Sequence, residues 1–142
     1  MKNYKTKFLP PYTSEGKNNI KALRHDKQQA GVYFIKNPAN EIVYVGHSKN
    51  QLYKTIFHHF QSWKSTTGRE RYTYNGQSHK VRVIFTTPHR AEVLEKYLIL
   101  KMQPSDNFQK YESYKMSKSE IKTAETVLDT TFDISNNEEN PF

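Results

Sequence analysis

The sequence predicts an α/β (α+β) domain in which helices flank a small, mostly antiparallel three-stranded central sheet. Two short runs, Val32–Ile35 and Ile42–Val45, are rich in β-branched and aromatic residues. An Asn- and Pro-containing turn separates them, which predicts a β-hairpin. A third run, Val81–Thr86, alternates apolar with other residues as a strand does. Helical periodicity follows the second and third runs, so we expect helices packed on the sheet.

The first predicted helix follows Ser48, a suitable N-cap residue. Its apolar residues recur at helical spacing and cover an arc about 140° wide at about 100° per residue. They are Leu52, Tyr53, Ile56, Phe57, Phe60 and Trp63. We therefore predict an amphipathic helix that continues to Trp63.

Two further helices have clear start signals. Thr87 and Pro88 form an N-cap and first-turn pair, and the periodic pattern that follows runs to about Lys101. Ser117 and Glu120 have the spacing of a capping box before a last helix. Between the first and second predicted helices, Asn75-Gly76 predicts a hairpin that would join residues 72–74 to the third strand.

The chain length of 142 residues suits one domain with one core. We expect residues 1–29 to form an extended N-terminal arm and residues 30–128 to form the domain. Residues 129–142 are acidic and aperiodic, which predicts a flexible tail.

Composition limits the chemistry and the location. The chain has no cysteine, so a disulfide or a thiolate zinc site is excluded, and oxygen-ligated Mg²⁺ is the natural metal. No apolar run approaches the roughly 20 residues of a membrane span, and Met1–Lys5 lacks the apolar segment of a secretory signal. We expect an intracellular, cytoplasmic protein.

The charge of the chain suggests a polyanionic partner. Four of the 14 acidic residues and none of the 22 basic ones lie in the last fourteen positions, so residues 1–128 carry a formal charge of +12. A basic surface of this density attracts nucleic-acid phosphates, and the attraction depends on salt.

Several short motifs stand in a recognisable order. Gly31–Tyr33 reads Gly-Val-Tyr, and Tyr44–Gly46 reads Tyr-Val-Gly with its tyrosine eleven residues after the first. A glutamate-bearing helix, Ala91–Ile99, follows further on, and Pro104 stands three residues before Asn107. Over roughly residues 30–107 the chain resembles the GIY-YIG nuclease family.

This resemblance implies hydrolysis of a DNA phosphodiester with a divalent ion, Mg²⁺ or Mn²⁺. It implies that Glu95 binds the metal, that the Tyr33 hydroxyl helps to activate the attacking water, and that Tyr44 supplies a second hydroxyl. His47 matches a position where the family often has a basic residue, and Asn107 would support the site. Phosphoryl transfer needs in-line positioning and charge neutralisation, which such a set provides.

The chain departs from the family on the first helix, where an arginine is expected. An ungapped alignment selects Lys54 with His58 one turn later, and an alignment with one inserted residue selects Thr55 with His59. On the helical wheel His58 lies about 170° from the centre of the apolar arc and His59 about 90° from it. A side chain in a site between helix and sheet should flank the core, so we favour Thr55 with His59.

Three functions therefore stay open from the sequence. The first is a metal-dependent endonuclease that acts on DNA, most simply a duplex; the second is a catalytically impaired nucleic-acid-binding module; the third is an interaction domain. Besides the residues above, we expect DNA contacts from a set of basic residues together with Asn107. The basic residues are Lys49, Arg69, Arg71, Arg82 and Arg90.

Overall fold

The computed structural model describes residues 3–61, 63–64, 70–71, 74–107 and 115–134. The strands are β1 (Asn3–Lys5), β2 (Gly31–Lys36), β3 (Ile42–Ser48), β4 (Trp63–Lys64), β5 (Glu70–Arg71), β6 (Lys80–Phe85) and β7 (Thr131–Asp133). The helices are α1 (Leu52–His58), α2 (Pro88–Met102) and α3 (Lys118–Asp129), and Ser105–Asn107 forms a 3₁₀ turn.

The central sheet has five strands in the order β3-β2-β6-β1-β7, so the prediction of three strands is wrong in number. The predicted strands are β2, β3 and β6, and their pairing is antiparallel as expected. The two additional strands come from the predicted arm and tail: β1 is antiparallel to β6 and parallel to β7. Each has only three residues, too few for a recognisable alternation.

The hairpin predicted at Asn75-Gly76 does not pair with β6. Both edges of β6 are already occupied, by β2 on one side and β1 on the other. The Tyr74 backbone N–H instead donates to the carbonyl of His59 at 3.0 Å. Residues 72 and 73 of the predicted strand lie outside the described residues. β5 pairs with β4 in a separate two-stranded ribbon.

The helices cover the two faces of the sheet. On one face α1 packs on side chains that include Tyr33, Ile35 and Val83. On the other face α2 and α3 pack together on Val32, Phe34 and other alternate residues of the same strands. Alternate residues of a strand point to opposite faces, so β2 is buried on both sides and reads as a nearly continuous apolar run.

α1 is shorter than the sequence predicts, because it ends at His58 and Trp63 lies in β4. The hydrogen bonds tighten at its end: His59 N–H donates to Ile56 and Phe60 N–H to Phe57. The His59 carbonyl then accepts from Tyr74, as noted above. Gln51 occupies the N-cap position without a side-chain bond, so Ser48 is not the N-cap. Ser48 Oγ instead accepts from the Gln51 N–H at 2.9 Å, in the preceding turn.

The predicted starts of α2 and α3 are confirmed. The Thr87 hydroxyl accepts from the Arg90 N–H, with Pro88 in the first turn. Ser117 and Glu120 form the reciprocal bonds of a capping box. The last residue of α2 is Met102, and Gln103 caps its end. Gln103 has a positive φ of 45°, which is common for a residue that terminates a helix.

The ends of the described chain meet at the sheet. Asn3 pairs in register with Thr131, and the Ile134 N–H donates to Lys5. Residues 135–142 of the predicted tail lie outside the described residues. Across the described ranges, no helix combines the length and apolarity needed to cross a membrane.

Gly31 stands where three elements meet. A Cβ added to it would lie 2.2 Å from the Ile84 carbonyl oxygen in β6 and 3.0 Å from Leu52 Cδ1 in α1. The neighbouring oxygen belongs to the backbone and cannot move aside cheaply. Gly31 therefore sets the distance between β2, β6 and the beginning of α1.

We predict that Gly31→Ala lowers the free energy of unfolding by about 3 kcal/mol, because the added methyl overpacks this junction. Gly16→Ala is the comparison, because Gly16 has a φ of 79° but nothing within 4 Å of an added Cβ. It should cost only about 1 kcal/mol of backbone strain. Urea unfolding of both variants measures the difference, and equal small losses would contradict the junction.

Candidate active site

A cavity of about 440 Å³ opens at the β3 edge of the sheet, beside α1. Side chains from β2, β3, α1 and α2 form its wall. They are Tyr33, Tyr44, His47, Gln51, Lys54, Thr55, His58, His59 and Glu95. All the catalytic candidates named from the sequence, including both alternatives on α1, are in this set.

Gly46 allows the Tyr33 side chain to reach the cavity. It lies opposite Tyr33 in the β2–β3 register. A Cβ added to Gly46 would lie 2.5 Å from both Cζ and the hydroxyl oxygen of Tyr33, and 2.9 Å from Tyr44 Cε2. The Tyr33 ring thus crosses β3 through the space that a larger residue would fill. This contact explains why the two tripeptides, one on each strand, belong together.

The Tyr33 hydroxyl lies 2.8 Å from His59 Nε2. When Nε2 carries no proton, the phenol donates this hydrogen bond. Burial, first of all, and then the nearby Tyr44 and Glu95 raise the pKa of Tyr33 well above its ordinary value. Tyr33 is therefore a neutral hydroxyl at neutral pH, with a histidine nitrogen next to it.

Tyr44 and His59 belong to a group of packed rings. Their centroids lie 4.8 Å apart, and the ring of Tyr74 lies 6.0 Å from that of His59. The Tyr74 hydroxyl donates to Asp106 Oδ2 at 2.6 Å. Burial and Asp106 raise the pKa of Tyr74 above its ordinary value. Tyr74 thus connects the end of α1 to the 3₁₀ turn.

Tyr74 and Asp106 are not among the residues predicted from the sequence, although both hold residues of the site in place. Asp106 stands between Pro104 and Asn107, inside a motif that had been recognised. Its place within this motif is the one feature of the sequence that could have indicated a role at the site. Tyr74 directly precedes the Asn-Gly dipeptide, and the hairpin expected there concealed its contact with His59.

His47 and Glu95 form a pair across the sheet edge. The Glu95 carboxylate accepts from His47 Nδ1 at 2.8 Å. Glu95 is almost fully buried, whereas a quarter of the His47 side chain is exposed. A carboxylate needs a polar partner in such a position, and His47 provides one. His47, on β3, therefore fixes the orientation of Glu95, on α2.

Glu95 is the one acidic residue in the described lining of the cavity. Nowhere in the described ranges do three His, Cys, Asp or Glu side chains come together as metal ligands. This donor set fits a hard ion such as Mg²⁺, which keeps several water ligands and takes one or two carboxylates together with substrate phosphate oxygens. It does not fit an ion that requires a complete set of protein ligands.

Both alternatives for the missing arginine lie on the cavity wall. Lys54 with His58 and Thr55 with His59 all line it. Lys54 and His58 are exposed, whereas Thr55 and His59 are half-buried. Of the two histidines, His59 is the one bonded to Tyr33. The His59 position agrees with the expectation that this residue flanks the apolar arc.

Asn107 is not placed to contact DNA, contrary to that part of the sequence prediction. It is only 3% exposed, and its amide is bonded at both ends to Val45. Asn107 Oδ1 accepts from the Val45 N–H at 2.8 Å, and Nδ2 donates to the Val45 carbonyl at 3.0 Å. Its side chain completes the hydrogen bonds of edge strand β3, so it holds the 3₁₀ turn against the site.

The basic residues expected to bind DNA are dispersed. Lys49 makes an ion pair with Glu92 at 2.7 Å, near the cavity. Arg82 Nε donates to the Thr6 carbonyl, and Arg90 lines a different cavity between α2, α3 and β7. The structure therefore does not bring Arg82 and Arg90 to the site. Arg69 and the side chain of Arg71 lie outside the described part of the chain.

One comparison with known proteins gave a match. The family model of the GIY-YIG catalytic domain matches residues 29–112, more than half of the chain. The fold and the match define a nuclease-type domain. The chain belongs to the GIY-YIG nuclease superfamily, whose members act on DNA and generally depend on divalent metal ions. Neither the search of curated proteins nor that of solved structures gave a match.

We predict that alkaline pH destabilises the protein partly through Tyr33. The unfolded chain releases this proton near pH 10, whereas the folded chain retains it to higher pH. The free energy of unfolding therefore falls above pH 10 and does not depend on this group below that pH. In Tyr33→Phe the fall should be shallower by up to about 1.4 kcal/mol per pH unit. Urea unfolding at pH 8 to 11 measures both slopes, and parallel slopes would contradict it.

Proposed function

We propose that this protein is a divalent-metal-dependent endonuclease that hydrolyses phosphodiester bonds in duplex DNA. The observation that carries the proposal is the convergence, on one cavity, of a buried carboxylate, a tyrosine hydroxyl bonded to a histidine, and basic residues of α1. Hydrolysis of a phosphodiester requires a placed water, a metal ligand and positive charge around the phosphate. The cavity offers a residue for each.

In this proposal Tyr33 and His59 handle the proton of the attacking water. The water oxygen adds to phosphorus, and one sugar oxygen leaves. A free Tyr33 phenolate is scarce at neutral pH because burial raises the pKa of this residue. Tyr33 therefore accepts the proton of the water as it passes its own to His59 Nε2, 2.8 Å away. His59 is the final base and Tyr33 the relay.

Glu95 would hold the metal ion, in the orientation that His47 gives it. When bound, the ion supplies positive charge to the phosphate oxygens. His47 contributes by fixing the orientation of the Glu95 carboxylate through their 2.8 Å hydrogen bond. Tyr44, whose ring packs on both Tyr33 and His59, offers a second hydroxyl and holds the two rings in position.

Lys54 is the residue best suited to replace the family's arginine as a cation. It is exposed at the cavity, so it can reach a phosphate. Lysine keeps the charge but lacks the two-pronged geometry of a guanidinium. Thr55 stands beside it and offers a hydrogen bond without charge. We infer that this pair together performs what one arginine does elsewhere in the family.

We predict that Glu95→Gln abolishes nicking of supercoiled plasmid in Mg²⁺ or Mn²⁺, with a loss of at least about 1000-fold, because the metal ligand is gone. Glu92→Gln is the matched control: it lies one turn earlier on α2, is exposed and pairs with Lys49. Its nicking rate should stay within about threefold of the parent. If the parent retains DNA in a salt-sensitive way but does not nick it, the protein is a binding module and the proposal fails.

We predict that Lys54→Ala lowers the nicking rate by about 10- to 100-fold, because the described cavity wall loses the positive charge of its one lysine. Thr55→Arg, which restores a guanidinium on this wall, should raise the rate above that of the parent. Single-turnover kinetics with saturating protein separate these effects from binding. A Lys54→Ala variant with the parent rate would show that the charge comes from another residue.

A further inference from the structure

A second cavity, also of about 440 Å³, adjoins the candidate active site. The two share Gln51 and Lys54 in their walls, so they meet at the beginning of α1. The second cavity extends from that turn to the loop of residues 24–28. This loop precedes β2, outside the residues that the family model matches.

The loop is held firmly against α1. Gln29 is only 5% exposed, and its side chain accepts from the Arg24 N–H and donates to the Ala22 carbonyl. Its backbone bonds to Asn50 on one side and to Leu52 on the other. These hydrogen bonds fix both ends of the loop, at Arg24 and Gln29, beside the beginning of α1.

The groove carries the groups that a nucleotide requires. The described wall contains three basic residues, Arg24, Lys27 and Lys54, and one acidic residue, Asp26. Arg24 donates to the Asp26 carboxylate through both Nε and Nη2. The net charge of the described wall is thus positive. Lys27 is exposed and is not part of the Arg24–Asp26 ion pair. It is therefore the natural contact for a phosphate.

Aromatic rings form the other side of the groove. The ring of His25 lies 5.7 Å from that of Tyr53, and Tyr53 packs on Phe57 in the core at 4.7 Å. His25 is exposed, whereas Tyr53 is half-buried and fixed. A fixed ring beside positive charge is the arrangement on which single-stranded nucleic acids stack their bases.

We propose that residues 24–28 and the first turn of α1 form a subsite for one unpaired nucleotide of the DNA strand that flanks the scissile phosphate. Lys27 contacts its phosphate, and the His25–Tyr53 ring pair stacks on its base. The volume of about 440 Å³ suits a single nucleotide. This inference rests on the proposed function, because the shared wall at Lys54 places the subsite next to the phosphate that would be cut.

The subsite predicts a preference for DNA with unpaired nucleotides. Fluorescence anisotropy of the full chain in EDTA, where no hydrolysis occurs, compares a 20-bp duplex with the same duplex carrying a central gap of four nucleotides. The gapped DNA should bind at least about fivefold more tightly. His25→Ala should remove this preference and leave duplex binding unchanged, because only an unpaired base can stack there.

Lys27→Ala should weaken binding of the gapped DNA and reduce the steepness of log K against log salt by about 0.7, the value for one lost phosphate contact on a single strand. Lys118→Ala is the matched control: it removes the same charge at the start of α3, on the opposite face of the sheet. It should leave both the preference and the slope unchanged.

The subsite is refuted if the parent binds both DNAs equally, if His25→Ala weakens both equally, or if Lys118→Ala has the same effect as Lys27→Ala. These measurements need no cleavage, so they are separate from the plasmid assay. If the parent nicks plasmid but His25→Ala keeps the preference for gapped DNA, the subsite is refuted and the nuclease activity stands. If His25→Ala loses the preference for gapped DNA but the parent does not nick plasmid, the subsite stands and the proposed nuclease activity is refuted.

Discussion

The close approach of Tyr33 to Gly46 is the contact on which the candidate site depends. It requires β2 and β3 to pair in one register, because a shift by one residue would place a side chain where the Tyr33 ring lies. The same register sets His47 on the opposite face, where it meets Glu95. Residues from both sides of the sheet reach one cavity because β3 is an edge strand and Gly46 leaves its edge open.

Much of the fold could be predicted from local signals. β2, β3 and β6 are apolar runs, and α2 and α3 begin at capping residues, so each is specified by its own sequence. β1 and β7 could not be found in this way, because three residues contain little pattern and their pairing joins distant parts of the chain. The end of α1 was equally hidden, since it depends on the contact of His59 with Tyr74.

The candidate site was predictable where residue identity determines position. Tyr33, Tyr44 and Glu95 follow from the motifs, and all three line one cavity. The choice between His58 and His59 followed from helix geometry, and His59 is the one bonded to Tyr33. The sequence could not show which groups each polar side chain would bond to. It suggested DNA contacts for Asn107 and Arg82, whereas both side chains are bonded to backbone groups of neighbouring segments.

The pairing of β1 with β7 has a consequence for when the molecule can assemble during synthesis. The residues of β1 are made before those of β7, which lie more than 120 positions later in the sequence. Until then β1 has only β6 beside it, and the sheet ends in an unpaired edge. A chain synthesised from its amino end therefore contains every lining residue of the candidate cavity before β7 is made, and β7 extends the described sheet at the edge farthest from that cavity.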